Sequence, residues 1–538
     1  MFNFPMENMM SPVRSASTTV LGLLLVFASV ASAQVTGRGP TVRRGQKTAA
    51  IPSQAELPLK YVGKPTVEAI TAADLMTRLY IFADDSMMGR EVGTKYNLIG
   101  TSYIEQEVRR LGLVPAGENG GYFQNLPVFT TYFDSTSSVS IGSDRLTVAK
   151  DFLPIAREER RIVLDGTPVV YAGESNDSTS WLSADEMGGK IVVFNVPAPG
   201  VVLPNVPSLR ARIARAVAVF VVSLDRGPEN QKAGALRIQS LQRDGAVPGT
   251  PNVLITSRVA SLLFGSLEGA KAGTIGKSLS GAIIIGKAQA PGRNVVAILP
   301  GSDPALKGQY VAIGAHNDHI GFSNAPVDHD SIRVYNMVAR PQGADSPRPA
   351  KLTDEQIARI RVMTDSLHAL HGMRLDSISN GADDDGTGTV SVLEIAEAFA
   401  KAKVRPKRSV LFVWHAGEEK GLWGSMFFTD HPTVPRDSIV AQLNIDMVGR
   451  GALADATGES RTGELLHGGP GYLQLVGSRR LSTELGDLME TVNTKGKFGF
   501  NFDYGMDTNG HPQNIYCRSD HYEYARYGIP IVFMTTGG

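Results

Sequence analysis

The run Val410-Leu-Phe-Val-Trp414 is wholly apolar and has the length of a buried strand. It breaks at His415-Ala-Gly417 and delivers the chain directly to Glu418 and Glu419. Open α/β sheets carry their chemistry just outside the carboxyl ends of their strands. Two adjacent carboxylates at such a place can divide the labour, one binding a metal and one handling protons. An isolated Glu pair also suits the solvated start of a surface helix, so the reading depends on what the other strand ends carry.

Four more runs of the same kind follow Gly292: Asn294–Pro300, Tyr310–Gly314, Ile439–Ile445 and Pro530–Met534. Helical patterns lie between them, as at Val390–Ala402. The alternation predicts an α/β fold over 291–538, a mixed, largely parallel sheet flanked by helices. An insertion over 323–379 interrupts it and contains a helical stretch from Thr353 to His371, opened by Thr353-Asp-Glu-Gln356 in the pattern of a capping box.

Three further strand ends are polar. Gly314-Ala-His316-Asn-Asp318 offers an imidazole, with a carboxylate two residues on that can steady it. In Asn380-Gly-Ala-Asp383-Asp384-Asp385-Gly-Thr-Gly388, three consecutive aspartates repel one another unless a cation or a helix N-terminus holds them. The run Leu443-Asn-Ile-Asp446 closes an otherwise apolar strand with a carboxylate. One histidine with several carboxylates is oxygen-rich ligation, suited to two divalent cations sharing a bridging carboxylate.

Composition narrows the partners. Among 538 residues Lys+Arg and Asp+Glu both number 53, so nothing suggests nucleic acid or an anionic membrane surface. The lone Cys517 excludes an intrachain disulfide and a thiolate zinc cluster, which leaves His and carboxylates to hold any metal. Arg14, the apolar Val20–Ala31 stretch and the small-x-small site Ala31-Ser-Ala33 read as a signal peptide over 1–33, cleaved near Ala33. That stretch is short for a membrane span, so no stable membrane anchor is expected and the mature protein is periplasmic or extracellular. Residues 34–70 read as a flexible leader and 71–136 as the N-terminal part of the catalytic domain, with helices beginning near Thr71 and over Gly100–Gly112.

From 137 to 290 the texture is β-rich. Gly188–Phe194 and Ala216–Ser223 resemble the protease-associated (PA) domain, a module often inserted in exported peptidases at the substrate entrance.

The series GAHND, GADDDGTG, VWHAGEEKGLWGS, NIDMVGR and RSDHYEYARYGIP resembles the M28 family of zinc aminopeptidases. So do Phe82–Gly93, Leu111–Gly117 and Gly121–Phe123, upstream of the β-rich insert. The resemblance implies two zinc ions and peptide substrates. It makes His316 and Asp446 ligands of one ion, Glu419 a ligand of the other, Asp384 the bridge, Glu418 the general base and acid, and Asp318 the partner of His316. Asp383 and Asp385 become support. The family's fifth ligand, a His in a Tyr-His segment beyond the final strand, has no counterpart before Gly538, and the expectation is a C-terminally incomplete copy. His521, in Ser519-Asp-His521, is a possible substrate-side residue. His319, His329, His368, His371 and His415 are read as loop or structural residues. A dipeptidase or carboxypeptidase sharing the site, or a metal-deficient binding protein, are the alternatives.

Overall fold

Nine strands form the sheet that carries the polar strand ends. The computed structural model describes residues 66–537, apart from 156–157, 198–202, 227–235, 242–248, 341–350, 452–457, 460–464 and 467–470. The expected signal segment, and the leader up to 65, lie outside the described residues.

The short strands β1 (Val114–Pro115) and β2 (Phe123–Asn125) both pair antiparallel with β3 (Arg293–Leu299). The others are β4 (Tyr310–His316), β5 (Ser409–His415), β6 (Ile439–Ile445), β7 (Tyr472–Val476), β8 (Asn501–Asp503) and β9 (Ile531–Thr535). Across the sheet the order is β1-β3-β5-β4-β6-β9-β7-β8. The central four, β5-β4-β6-β9, are mutually parallel, and the antiparallel pairs β3–β5 and β9–β7 bound them. This is the mixed, largely parallel sheet expected from the sequence. The parallel register brings the carboxyl ends level: His316 pairs with His415, and Gly314 with Asn444, two residues before Asp446.

Successive residues of β3, β4 and β5 point to opposite faces. Val295, Ala297, Ile313, Ala315, Phe412 and Trp414 pack on one face with Phe82, Ile104, Val108 and Leu393. Those come from α1 (Ala72–Phe82), α2 (Lys95–Arg110) and α5 (Gly388–Lys401). On the other face Val296, Ala312, Leu411 and Val413 meet Phe428 of α6 (Trp423–Asp430) and Tyr524 of α8 (His521–Ala525). Both faces are dry, which is why these strands read as unbroken apolar runs rather than alternating ones. The strands β7 and β8 went unread, since β8 is short and lies at the sheet's edge.

Two inserts hang on this frame. The first holds a five-stranded sheet (Phe152–Ile155, Val169–Glu174, Ile191–Asn195, Ala218–Val222, Asn252–Ile255) against a six-stranded one built around Leu279–Gln289. A shared core that includes Phe152, Val193, Phe220, Ile255 and Ile283 binds them. The strand Val128–Phe133 pairs with Arg237–Leu241 and with Leu279–Gln289, so the module takes in residues ahead of the boundary expected at 137.

The second is a finger. Its antiparallel strands Gly321–Asp328 and Leu375–Ser379 carry α3 (His329–Ala339) and α4 (Asp354–His371). Thr353 and Gln356 form the capping box anticipated from the sequence. Within the finger His368 pairs with Asp328 at 2.9 Å and His329 with Asp376 at 3.4 Å. Among the described residues no helix is long and apolar enough to cross a membrane. Between β7 and β8 the chain forms α7 (Thr483–Gly496).

Candidate functional site

His316 closes β4 and is buried. Its Nδ1 lies 3.1 Å from the backbone carbonyl of Asp318, which can only accept, so Nδ1 carries the proton and donates. Nε2 then faces a ring of carboxylates: Asp384 Oδ1 at 3.0 Å, Asp446 Oδ1 at 3.8 Å and Glu418 Oε2 at 4.0 Å. The Asp318 carboxylate is the looser neighbour of Nδ1, at 3.6 Å. Its Oδ1 accepts the backbone N–H groups of Gly417 and Glu418, so Asp318 ties the end of β4 to the turn that presents Glu418 and Glu419.

The three consecutive aspartates separate into distinct tasks. Asp385 is fully buried and accepts backbone N–H groups from His316, Gly388 and Met447, joining two strand ends to the start of α5. Asp383 accepts from Gly449 N–H and pairs with Arg450 at 2.9 Å. Asp384, between them, points the other way, toward His316. The turn before it needs Gly381, whose φ is +59°. Asp446 follows β6; its Oδ2 accepts from Ser519 Oγ at 2.7 Å, and its Oδ1 has no hydrogen-bond partner.

Two groups of potential ligand atoms result, each with all atoms within 4.8 Å of one another: His316, Asp384 and Asp446, and His319, Asp384 and Glu419. Asp384 belongs to both. Glu418 belongs to neither and stands beside the first.

The electrostatics follow from this crowding of buried carboxylates. Burial pushes the Asp446 carboxyl up to about 7, and the charge of Asp384 adds to it against the pull of His316 and the Ser519 hydrogen bond. Burial likewise holds Glu418 well above the usual carboxylate range, with Asp446, Asp520 and Asp318 adding repulsion against His316. Asp385 is raised by burial and by the same repulsion. Burial disfavours a charged His316, yet its bonds to Asp318 and Asp384 hold its pKa well above the ordinary imidazole value. The surplus of carboxylates remains, and Asp446 Oδ1, Glu419 Oε1 and His319 Nδ1 are buried atoms without hydrogen bonds. Nitrogen and oxygen donors converging in this way fit a pair of divalent cations.

Some placements differ from expectation. His319 is no bystander: its Nδ1 lies 2.5 Å from Glu419 Oε1. His521 is not substrate-side. It is fully buried, stacked on Phe533 with ring centroids 4.7 Å apart, and burial pulls its pKa down to about 3, which keeps it neutral. Its neighbour Asp520 is buried 3.4 Å from His415 Nδ1 and adds to the repulsion on Glu418. His415, read from the sequence as a loop or structural residue, is buried with Nε2 3.0 Å from the Tyr524 hydroxyl.

The sequence assigns Arg90 no role of its own, although it lies in the family-like segment Phe82–Gly93. It is fully buried, and donates to the carbonyls of Phe82, Asn380 and Gly381 at 2.7–2.8 Å, fixing the turn that precedes Asp384. Burial lowers its pKa to about 10 against the pull of Asp318, Asp385, Asp384 and Glu419, so it remains a cation at neutral pH. Within that segment charge patterning alone does not single out the arginine after Met-Met-Gly89.

Residues 294–538, which carry every residue of both groups, match the model of peptidase family M28. This stretch belongs to peptidase family M28. Leupeptin-inactivating enzyme 1 of Streptomyces exfoliatus is 38% identical over 81 residues, 14% of this chain and 18% of that protein. A probable aminopeptidase of Saccharomyces cerevisiae is 33% identical over 128 residues, 23% of this chain and 31% of that protein. The matched segments thus span less than a third of these curated relatives. Among solved structures, a zinc aminopeptidase from Bacillus subtilis aligns over 89% of this chain and 86% of its own, at 16% identity and a TM-score of 0.44.

Proposed function

We propose that this M28 chain is an exported two-zinc aminopeptidase. The observation that carries the reading is the sharing of Asp384 by two nitrogen-and-oxygen ligand groups, with Glu418 free beside them. His316 and Asp446 would hold one ion and Glu419 the other, with Asp384 between. When bound, such a pair acidifies a water molecule and polarises the scissile carbonyl.

The protein's own part is positioning and proton transfer. Asp318 fixes the backbone of Gly417 and Glu418. Glu418 takes the proton of the attacking water and passes it to the leaving amine nitrogen; its raised pKa brings it toward the range where it can do both. Carboxylate charge around the ions favours a free α-ammonium on the substrate. The β-rich module, read as PA-like, and the finger over 321–379 would narrow the approach and favour peptides over folded proteins. Export is supported by the signal-like segment ending at Ala33.

Comparing hydrolysis of Leu-p-nitroanilide with that of N-blocked peptides tests the specificity. The free-amine substrate is expected to turn over and the blocked ones to resist. Cleavage of blocked peptides only would make the enzyme a different peptidase on the same site.

A further inference from the structure

We propose that His319 is a metal ligand, supplying through Nδ1 the nitrogen donor of the second group beside Asp384 and Glu419; this rests on the two-ion reading above.

His319 leaves the same strand end as His316, three residues on, and the two imidazoles flank Asp384. Its Nδ1 and Glu419 Oε1 are 2.5 Å apart, yet neither makes a hydrogen bond. Bound to one zinc ion at about 2.1 Å each, an imidazole nitrogen and a carboxylate oxygen lie roughly 3 Å apart, so these two have to spread by only about half an ångström to share one. An ordinary His–Glu ion pair aligns its N–H with the oxygen.

The ring also sits in a prepared place. A Cβ on Gly381 would come within 2.5 Å of His319 Cγ and 2.7 Å of its Cβ, so the imidazole packs against bare backbone. Arg90 pins that backbone through the carbonyls of Asn380 and Gly381. The side chain is mostly buried, 14% exposed, and Glu419 is 17% exposed.

The chemistry agrees. With His319 the second group has one nitrogen and two carboxylates, the same donor set as His316, Asp384 and Asp446. A mixed imidazole and carboxylate set suits zinc, whereas carboxylates alone suit harder cations.

The test is a cobalt(II) titration of the metal-free full chain, followed by absorbance and by the number of ions retained. Wild type is expected to take up two ions. In His319→Ala the first is expected to bind as before and the second to weaken at least about tenfold, the lower end of what even supporting residues cost. His319→Cys gives a readout that a structural role would not move: a sulfur-to-cobalt charge-transfer band growing in with the second equivalent and absent from wild type, whose Cys517 serves as the control. Two ions of unchanged affinity in His319→Ala, or no band in a folded His319→Cys, overturns the assignment of His319 and leaves the two-ion reading standing. A wild-type chain that takes up a single ion overturns the two-ion reading itself, and this is seen without any variant.

Discussion

Replacing Glu418 with glutamine is expected to lower kcat by about a hundred- to ten-thousand-fold, the usual contribution of a positioned acid–base group. Glutamine keeps the shape and removes the basic oxygen. Glu418 stands in neither ligand group, so metal uptake should be unchanged. Its backbone N–H to Asp318 also survives, so the turn that presents Glu419 should hold. KM should move little, because the lost interaction is made in the transition state. Initial rates on Leu-p-nitroanilide, taken with metal analysis, check this. Activity within twofold of wild type would mean that another group carries the proton.

Arg90→Met is expected to be the costliest single change outside the ligands. The thioether fills much the same space, but the three carbonyls of Phe82, Asn380 and Gly381 lose their donor in a buried place. At roughly 1 kcal/mol or more for each unsatisfied group, the loss is on the order of 3 kcal/mol. The substitution also removes a cation from beside Asp318, Asp384, Asp385 and Glu419, which sharpens their mutual repulsion. A melting temperature several degrees lower, together with weaker retention of metal on dialysis, is the expected result. A variant as stable as wild type that keeps its metal would show that the Asn380–Gly381 turn stands without Arg90.

The parts of this site that the sequence made legible are those where local pattern and chemistry coincide. A run such as Val410–Trp414 is apolar because both its faces are covered, and the acidic residues after it stand out against that background. The same contrast exposes His316 after Tyr310–Gly314, and Asp446 after Ile439–Ile445. Even the division among Asp383, Asp384 and Asp385 could be anticipated from the family resemblance, though the residues alone give three equal candidates.

What stayed hidden depends on the fold. His319 follows a paired strand by three residues, and nothing local distinguishes it from a loop histidine. Its importance comes from Gly381, sixty-two positions later, which leaves room for the ring. His521 and Asp520 are adjacent, and only the start of α8 decides that the imidazole turns to Phe533 while the carboxylate turns to His415. Arg90 acts on carbonyls contributed by Asn380 and Gly381, and backbone acceptors leave no mark in a sequence. The module boundary moved for a similar reason: Val128–Phe133 looks like any short strand until it pairs with Arg237–Leu241.

Asp384 belongs to both ligand groups, and the most direct test of its bridging role is the metal content of Asp384→Asn beside wild type after exhaustive dialysis against zinc buffer. Two ions per chain in wild type, and weakened retention of both in the variant, is the expected result. A variant that loses one ion and holds the other with wild-type affinity would contradict it, because Asp384 would then be an ordinary ligand of a single metal.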